Sequence, residues 1–214
     1  MKSFKQQRIE SLLTTIDQLS MAKIRHLQHI HDLKSYRNAC RVIKQLDPFI
    51  HETFFEKEKV VYLNKAGREM IGSTKEVKRN SLMEHTLLCN EAYLYFNCPI
   101  DWKTEHRIES KEAVPTFGIQ FMGLSPAKKR IISDASFSRN GYLHLIEIDN
   151  TRSMNDNRKK IEAYAEVLQD LRKNAAPILC IFTTNVERKR KFELWLNERN
   201  IHGQVKTFYE VKTS

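Results

Sequence analysis

Apolar residues recur at helical spacing through the first fifth of the chain. Residues 5–19 carry one such stripe, which predicts a first helix. Ser20 can cap a second helix that runs to about His29, and residues 34–46 form a third amphipathic stretch. Asp47-Pro48 ends the third helix, because a proline disfavours helical geometry in the residue before it.

The pattern then changes to extended runs. Residues 49–55 and 59–63 are rich in aromatic and β-branched residues, and the charged stretch 56–59 between them predicts a hairpin. Residues 64–72 return to helical spacing. The polar, basic stretch 73–79 is typical of a boundary between domains.

Beyond this boundary, helices alternate with strands. Helices are predicted over 80–97, 154–174 and 186–200, strands near 101–108, 114–121, 130–137, 141–149, 176–184 and 204–211, and a turn over 123–130. This order predicts an α+β protein whose second part is a mixed α/β sheet. We expect two domains, residues 1–73 and 80–214.

Charge narrows the class of partner. The chain of 214 residues has 36 Lys and Arg against 26 Asp and Glu, a net charge of +10. Residues 1–79 hold 16 of these cations and 9 of the acids, so most of the excess lies in the first third. Such an excess favours double-stranded DNA as the partner. No signal peptide or membrane span is apparent, and the four cysteines form no CxxC pair, so we expect a cytoplasmic protein.

Three helices followed by a hairpin is the order of a winged helix-turn-helix. Its third helix must be polar outside, to enter the major groove, and apolar inside. Arg and Asn are suited to base edges there, and Lys to phosphates. The residues expected at DNA are Lys34, Tyr36, Arg37, Asn38, Arg41, Lys44 and Lys57. The alternative is a small helical module whose basic face is only solvated or binds protein.

Three histidines, His26, His29 and His31, stand close together before the third helix. They offer neither a fourth ligand nor a helical i, i+4 pair, so a metal site is disfavoured. We expect them to be solvated or capping residues.

An acidic strand pair marks the second domain. Asp134 lies in one predicted strand, Asn140-Gly141 makes a hairpin turn, and the next strand carries Glu147 and Asp149 on one face. Clustered carboxylates are what Mg²⁺ or Mn²⁺ requires, and such an ion could activate water at a phosphate. The alternative is a solvated strand end with capping acids.

This arrangement resembles the PD-(D/E)xK nuclease-like fold. The resemblance implies metal binding by Asp134 and Glu147, and Asp149 stands where that family has its Lys. Lys160 or Lys159 on the following helix could substitute for it, and Glu84 or Glu91 could add an acid. If the domain is an enzyme, the implied catalytic residues are Asp134, Glu147, Asp149 and Lys160. The alternative is that Lys160 or Arg152 neutralises the acids and the domain is a scaffold.

Over residues 8–200 the chain is also similar to the replication-relaxation family of plasmid and mobile-element proteins. The similarity is carried by the three N-terminal helices and by the segments VYLNKAGREMIG, NSLMEHTLLCNEAYLYF, SDASF, LIEIDNTRS and KKIEAYAEVL. It implies a role in plasmid replication or its control.

Three hypotheses follow. The first is a non-catalytic DNA-binding protein of a plasmid or mobile element, acting in replication, as a homodimer or with replication proteins. The second is a metal-dependent nuclease or nickase, against which Asp149 argues. The third is a transcriptional regulator whose α/β domain dimerises or senses a ligand. A fold alone does not decide between them.

Overall fold

The computed structural model describes residues 4–78, 82–109, 130–172 and 176–212. The chain divides into two units, residues 1–98 and 99–214. Both combine helices with a β-sheet, so the fold is mixed α+β, as the hydrophobic pattern predicts. Within the described ranges, no helix has the length and apolar character that crossing a bilayer requires.

The described part of the first unit contains helices around a small sheet. In chain order the elements are α1 (Phe4–Leu19), β1 (Ala22–Lys23), α2 (Ile24–Ile30), α3 (Tyr36–Ile43), a 3₁₀ helix (Lys44–Phe49), β2 (Ile50–Phe55), β3 (Glu58–Leu63), α4 (Lys65–Ile71) and α5 (Met83–Tyr95). The strands pair antiparallel in the order β1-β3-β2. The apolar faces of α1, α2 and α3 are buried, which accounts for their helical periodicity.

The start of α2 differs from the sequence prediction. Ser20 has a φ of 64° and lies in the turn after α1, so it does not cap α2. Residues 22 and 23 are buried and pair with β3 as the short strand β1. Buried backbone groups need hydrogen-bond partners, and this pairing supplies them. The hydrophobic pattern did not predict β1, because two residues are too few to show a period.

Helix α3 is shorter than its predicted span of 34–46. Lys34 has a φ of 61° and belongs to the preceding turn, and Ser35 caps the helix by accepting from the Asn38 amide. Pro48 disfavours a continued α-helix, and residues 44–49 form the 3₁₀ helix instead. The hairpin turn is also tighter than predicted, because only Glu56 and Lys57 have positive φ, at 48° and 67°.

Helix α5 belongs to the first unit, whereas the predicted boundary at 73–79 puts it in the second. Its Asn90 side chain donates to the carbonyls of Leu19 and Met21 at 3.3 and 2.6 Å. Met83 and Leu87 pack in the same apolar cluster as Met21. The division of the chain therefore falls after Cys98.

The second unit is built on a five-stranded sheet. Its described elements are β4 (Lys103–Glu109), β5 (Arg130–Arg139), β6 (Tyr142–Asp149), α6 (Met154–Leu171), β7 (Ala176–Thr183), α7 (Val186–Glu198), β8 (Gly203–Thr207) and α8 (Phe208–Lys212). The strand order is β4-β5-β6-β7-β8, with β4, β5 and β6 antiparallel and β6, β7 and β8 parallel. Helices α6 and α7 bury Tyr164 and Phe192 in one core with Leu145 and Leu179 of the sheet.

Most predicted elements of this unit are present, with one correction at its end. The strand predicted over 204–211 ends at Thr207, and α8 follows. Thr207 and Glu210 cap this helix reciprocally, with amide to side-chain distances of 2.6 and 3.2 Å. The predicted turn at Asn140-Gly141 is confirmed by their φ values of 52° and 79°. The strand predicted at 114–121 and most of the turn at 123–130 lie outside the described residues.

Candidate functional site

The outer face of α3 is the first candidate. Ala39, Val42 and Ile43 are buried, as predicted from their spacing. Tyr36 is 51% exposed, and the side chains of Arg37 and Arg41 are exposed as well. Because positions 37 and 41 are one turn apart, the two guanidinium groups share a face. The helix therefore presents an aromatic ring and two cations outward.

Asn38, also predicted to read bases, is engaged within the chain. Its Nδ2 donates to the Leu33 carbonyl at 2.9 Å, and its Oδ1 accepts from Arg41 Nη2 at 2.8 Å. Its side chain thus ties the turn before α3 to the head of Arg41. Spacing alone could not find this role, because it depends on the positive-φ turn at Asp32 and Lys34.

The predicted phosphate contacts are spread around α3. Lys34 lies in the turn, exposed, with its Nζ 2.6 Å from Asp32 Oδ2. Lys44 is exposed at the end of α3 and lines a groove of about 500 Å³ between that helix and the hairpin. Lys57 is exposed at the hairpin turn. The three lysines thus stand before, after and beside the helix.

Of the three clustered histidines, His26 and His31 make contacts within the first unit and His29 is exposed. His26 is buried; its Nδ1 accepts from the Lys23 amide at 3.4 Å and its Nε2 lies 3.0 Å from Glu91 Oε1. Burial lowers the pKa of His26, which favours the neutral ring in this arrangement. His31 Nε2 lies 2.9 Å from Thr15 Oγ1. No group of three metal-ligating side chains occurs in the described part of the chain.

The second candidate is the acidic centre at the end of β6. Glu147 is 6% exposed, and its two carboxylate oxygens contact Lys160 Nζ at 2.5 Å and the Tyr164 hydroxyl. Burial raises the pKa of Glu147 to about 7, and the charge of Asp134 adds to this rise. The contacts with Lys160 and Tyr164 lower the pKa again but offset only part of the rise.

Asp149 has a separate set of partners. Arg188 of α7 donates two hydrogen bonds to its carboxylate, from Nε at 2.7 Å and from Nη2 at 2.5 Å. Asn157 Nδ2 donates at 2.7 Å and the Thr183 hydroxyl at 2.6 Å. Since the side chain is only 3% exposed, these donors account for its burial as a charged group.

Of the other residues predicted for this site, some lie near the acidic centre and others do not. Asp134 accepts from the Ile148 amide at 2.7 Å, so it secures the β5–β6 pair where the ladder ends. Arg152 is exposed, and its carbonyl accepts from Arg188 at 2.7 Å. Lys159 is exposed on α6, whereas Glu84 and Glu91 belong to α5 in the first unit.

Sequence reasoning identified Lys160 as the neutralising cation and missed Arg188, Tyr164, Asn157 and Thr183. Positions 157, 160 and 164 form one helical row that faces the sheet. Polar residues within a row otherwise buried were the available signal on α6. Arg188 gave no such signal, because it stands in a run of four consecutive cations.

These carboxylates do not fit a divalent cation as arranged. Both oxygens of Glu147 and of Asp149 are held by side-chain donors, and two of these donors are cations. The enclosed space beside them is about 10 Å³, which is about enough for one water. The arrangement can balance charge and hold α6 and α7 against the sheet, and we derive no hydrolytic step from it.

Comparisons with known proteins assign the sequence to a family. No curated protein matches the sequence. The protein VC1899 from Vibrio cholerae, a crystal structure, is similar over 98% of this chain, with 13% identity and a TM-score of 0.40. The chain spans 48% of that protein, about half its length. The profile of the replication-relaxation family matches residues 13–178, which is most of the chain. The chain therefore belongs to the replication-relaxation family.

Proposed function

We propose that this is a DNA-binding protein of a plasmid or other mobile element that acts in DNA replication or its control. The observation that carries the proposal is α3, a short capped helix with a buried apolar face and with Tyr36, Arg37 and Arg41 exposed. An outward row of cations and an aromatic ring on a narrow helix suits the major groove. Membership of the replication-relaxation family supports the replication role.

The rest of the first unit supports a winged helix-turn-helix. Its order α1-β1-α2-α3-β2-β3, with the sheet order β1-β3-β2, matches what that motif needs, because the hairpin then stands beside the third helix. The net charge of +7 on residues 1–79, from 16 cations and 9 acids, adds electrostatic attraction to DNA.

We further propose that the second unit is a nuclease-like scaffold without hydrolytic activity. Its antiparallel hairpin, its parallel strand after α6, and the positions of Asp134 and Glu147 favour the nuclease-like arrangement. The pairing of Asp149 with Arg188, and of Glu147 with Lys160, favours a structural role for the acids.

The test of DNA binding uses the full chain and a matched pair of variants. Arg37→Gln/Arg41→Gln removes two exposed charges from α3, and Lys5→Gln/Arg8→Gln removes two exposed charges from α1. With duplexes selected from a random library, we expect the α3 variant to lose most of the selectivity and the α1 variant to keep it. Equal losses in both variants would contradict the α3 assignment.

Two further experiments separate the alternatives. DNA segments recovered with the protein from cells should lie at a replication origin; recovery at promoters would favour a transcriptional regulator. Supercoiled plasmid incubated with the protein and Mn²⁺ should stay intact. Nicking that disappears in Glu147→Ala would establish the nuclease instead.

A further inference from the structure

Helices α6 and α7 lie side by side on one face of the five-stranded sheet, and a seam runs between them. Both helices follow parallel strands, β6 and β7, so both begin at the same edge of the sheet. Glu162 of α6 lies 2.7 Å from Arg199, the residue that follows α7, and 3.6 Å from Arg158. These contacts show that residues 158 and 162 form the α6 row that faces α7.

Lys191 belongs to the opposing row. Residues 191, 195 and 199 are spaced i, i+4 and i+8, so Lys191 shares a face with Arg199, which contacts α6. Lys191 and Arg158 stand at similar distances along the chain from the ends of β7 and β6. Both cations therefore lie near the start of their helices, at the edge of the sheet where β6 and β7 end.

The four consecutive cations at the start of α7, residues 188–191, differ in whether they have acidic partners. Arg188 and Lys189 pair with Asp149 and Glu210. Arg190 and Lys191 are exposed, and neither has an acidic partner among the described residues. We call Arg152, Arg158, Arg190 and Lys191 the seam cations.

The buried acids do not cancel the seam cations. Glu147 and Asp149 already have Lys160 and Arg188 as internal partners. The exposed acids of the same two helix starts are Asp156, which accepts from the capping Ser153 hydroxyl, and Glu187. The half-buried Glu162 is shared between Arg158 and Arg199, so it does not offset the other seam cations. An excess of positive charge is therefore left on the surface at this edge.

We propose that the seam cations bind the phosphate backbone of duplex DNA, as a second contact surface separate from α3. This inference rests on the proposed function, because it presumes a DNA ligand. The exposed side chains beside the seam cations, Thr151, Asn155 and Thr184, are of polar types that bond phosphate oxygens. A surface that docks an acidic protein would instead be built around an apolar core.

The experiment measures the salt dependence of DNA binding by the full chain. The probe is a labelled random-sequence duplex, titrated at a series of NaCl concentrations. Arg190→Gln/Lys191→Gln removes two seam cations. Lys103→Gln/Arg107→Gln is the matched control, since it removes two exposed charges from β4 in the same unit. All four positions are exposed, so thermal unfolding should stay unchanged and verify that the variants fold.

We expect the seam variant to weaken binding several-fold on every sequence and to reduce the slope of log K against log salt by about 2, one phosphate contact per cation lost. The β4 control should keep the wild-type slope. A seam variant that behaves like the control would overturn the inference. Polyglutamate that displaces the duplex as well as unlabelled DNA of equal charge would also overturn it, in favour of an acidic protein.

The Arg37→Gln/Arg41→Gln variant distinguishes this inference from the proposed function. Loss of selective binding in that variant, with an unchanged seam variant, leaves the α3 proposal standing and removes the seam. Wild-type selectivity in the α3 variant, with a weakened seam variant, does the opposite. A wild-type chain that does not bind duplex DNA contradicts both.

Discussion

Each unit buries one glutamate among basic neighbours, yet the pKa values of the two carboxyl groups are shifted in opposite directions. Burial alone would raise the pKa of Glu91, but the hydrogen bonds from His26 and Arg25 and the charge of Arg25 outweigh it and lower the pKa to about 2. Burial and the charge of Asp134 raise the pKa of Glu147 to about 7, in spite of Lys160. A guanidinium that reaches both oxygens helps to lower the pKa of Glu91, whereas one ammonium opposed by a second acid does not prevent the rise in the pKa of Glu147.

The largest effect expected from breaking such a pair is at Asp149. Arg188→Ala removes the guanidinium and leaves a buried carboxylate without its cation. We expect the free energy of unfolding to fall by about 3–5 kcal/mol. Urea denaturation followed by tryptophan fluorescence measures it, because both tryptophans, Trp102 and Trp195, lie in the second unit.

The control for this variant is Arg190→Ala, two residues away on an exposed face. It should change the free energy of unfolding by no more than about 0.5 kcal/mol. Equal and small losses in the two variants would mean that the Arg188 contact does not hold the unit together.

The raised pKa of Glu147 predicts how stability depends on pH. Between its ordinary value of 4.5 and about 7, the folded unit holds a proton that the unfolded chain has released. Stability from this group is therefore full below pH 4.5 and decreases as pH rises through 7, by about 3 kcal/mol in all. Denaturation at pH 5 and pH 8 should show this loss, and Glu147→Gln should reduce it.

The contribution of Glu91 to stability depends on pH in the opposite direction. Its pKa of about 2 lies below the ordinary 4.5, so its contribution is present above pH 4.5 and is lost as pH falls towards 2. The protection factors of the α5 amides, which correct for the slower intrinsic exchange in acid, should fall on acidification of the wild type. Glu91→Gln should lower these protection factors already at neutral pH and change them less on acidification. An acid response confined to the second unit would contradict the contrast.

Smaller effects are expected at the exposed cations of α3, where nothing is buried. Arg41→Ala should weaken a selected duplex by about 1–3 kcal/mol if the guanidinium contacts a base. Asn38→Ala should weaken binding less, because it removes the hydrogen bonds to Arg41 at 2.8 Å and to the Leu33 carbonyl at 2.9 Å but no positive charge. Fluorescence anisotropy on selected and random duplexes measures both. If Asn38→Ala cost more than Arg41→Ala, Asn38 would itself be the base contact.

The smallest effect is expected at the hairpin. Lys57 stands exposed at the turn, so Lys57→Gln should remove one phosphate contact and reduce the salt slope by about 1, with the same loss on every sequence. A loss confined to the selected duplex would assign Lys57 to sequence recognition. Lys65→Gln, an exposed lysine on α4, is the matched control.

Elements whose hydrophobic pattern extends over many residues could be predicted from the sequence, whereas elements set by tertiary contacts could not. The stripes of α1, α6 and α7 and the Asn140-Gly141 turn are local features, and the structure has them near their predicted positions. The strand β1 forms only because β3 lies beside it. The same holds for the acidic centre. Lys160 could be predicted as a partner because it lies on the helix that directly follows β6. Arg188 lies on a later helix, 39 positions after Asp149, and only the tertiary fold brings the two together.

The position of α5 has a consequence for how the first unit could be transferred to another protein. Glu91 satisfies Arg25 and His26, and Asn90 satisfies two carbonyls at the end of α1. A fragment that stopped at residue 79 would expose this polar network and remove Glu91 from Arg25, which would keep its contact with Glu58. Gene fusion or exchange that transplants the N-terminal module intact must therefore include the helix, so the natural joint for recombination lies after Cys98.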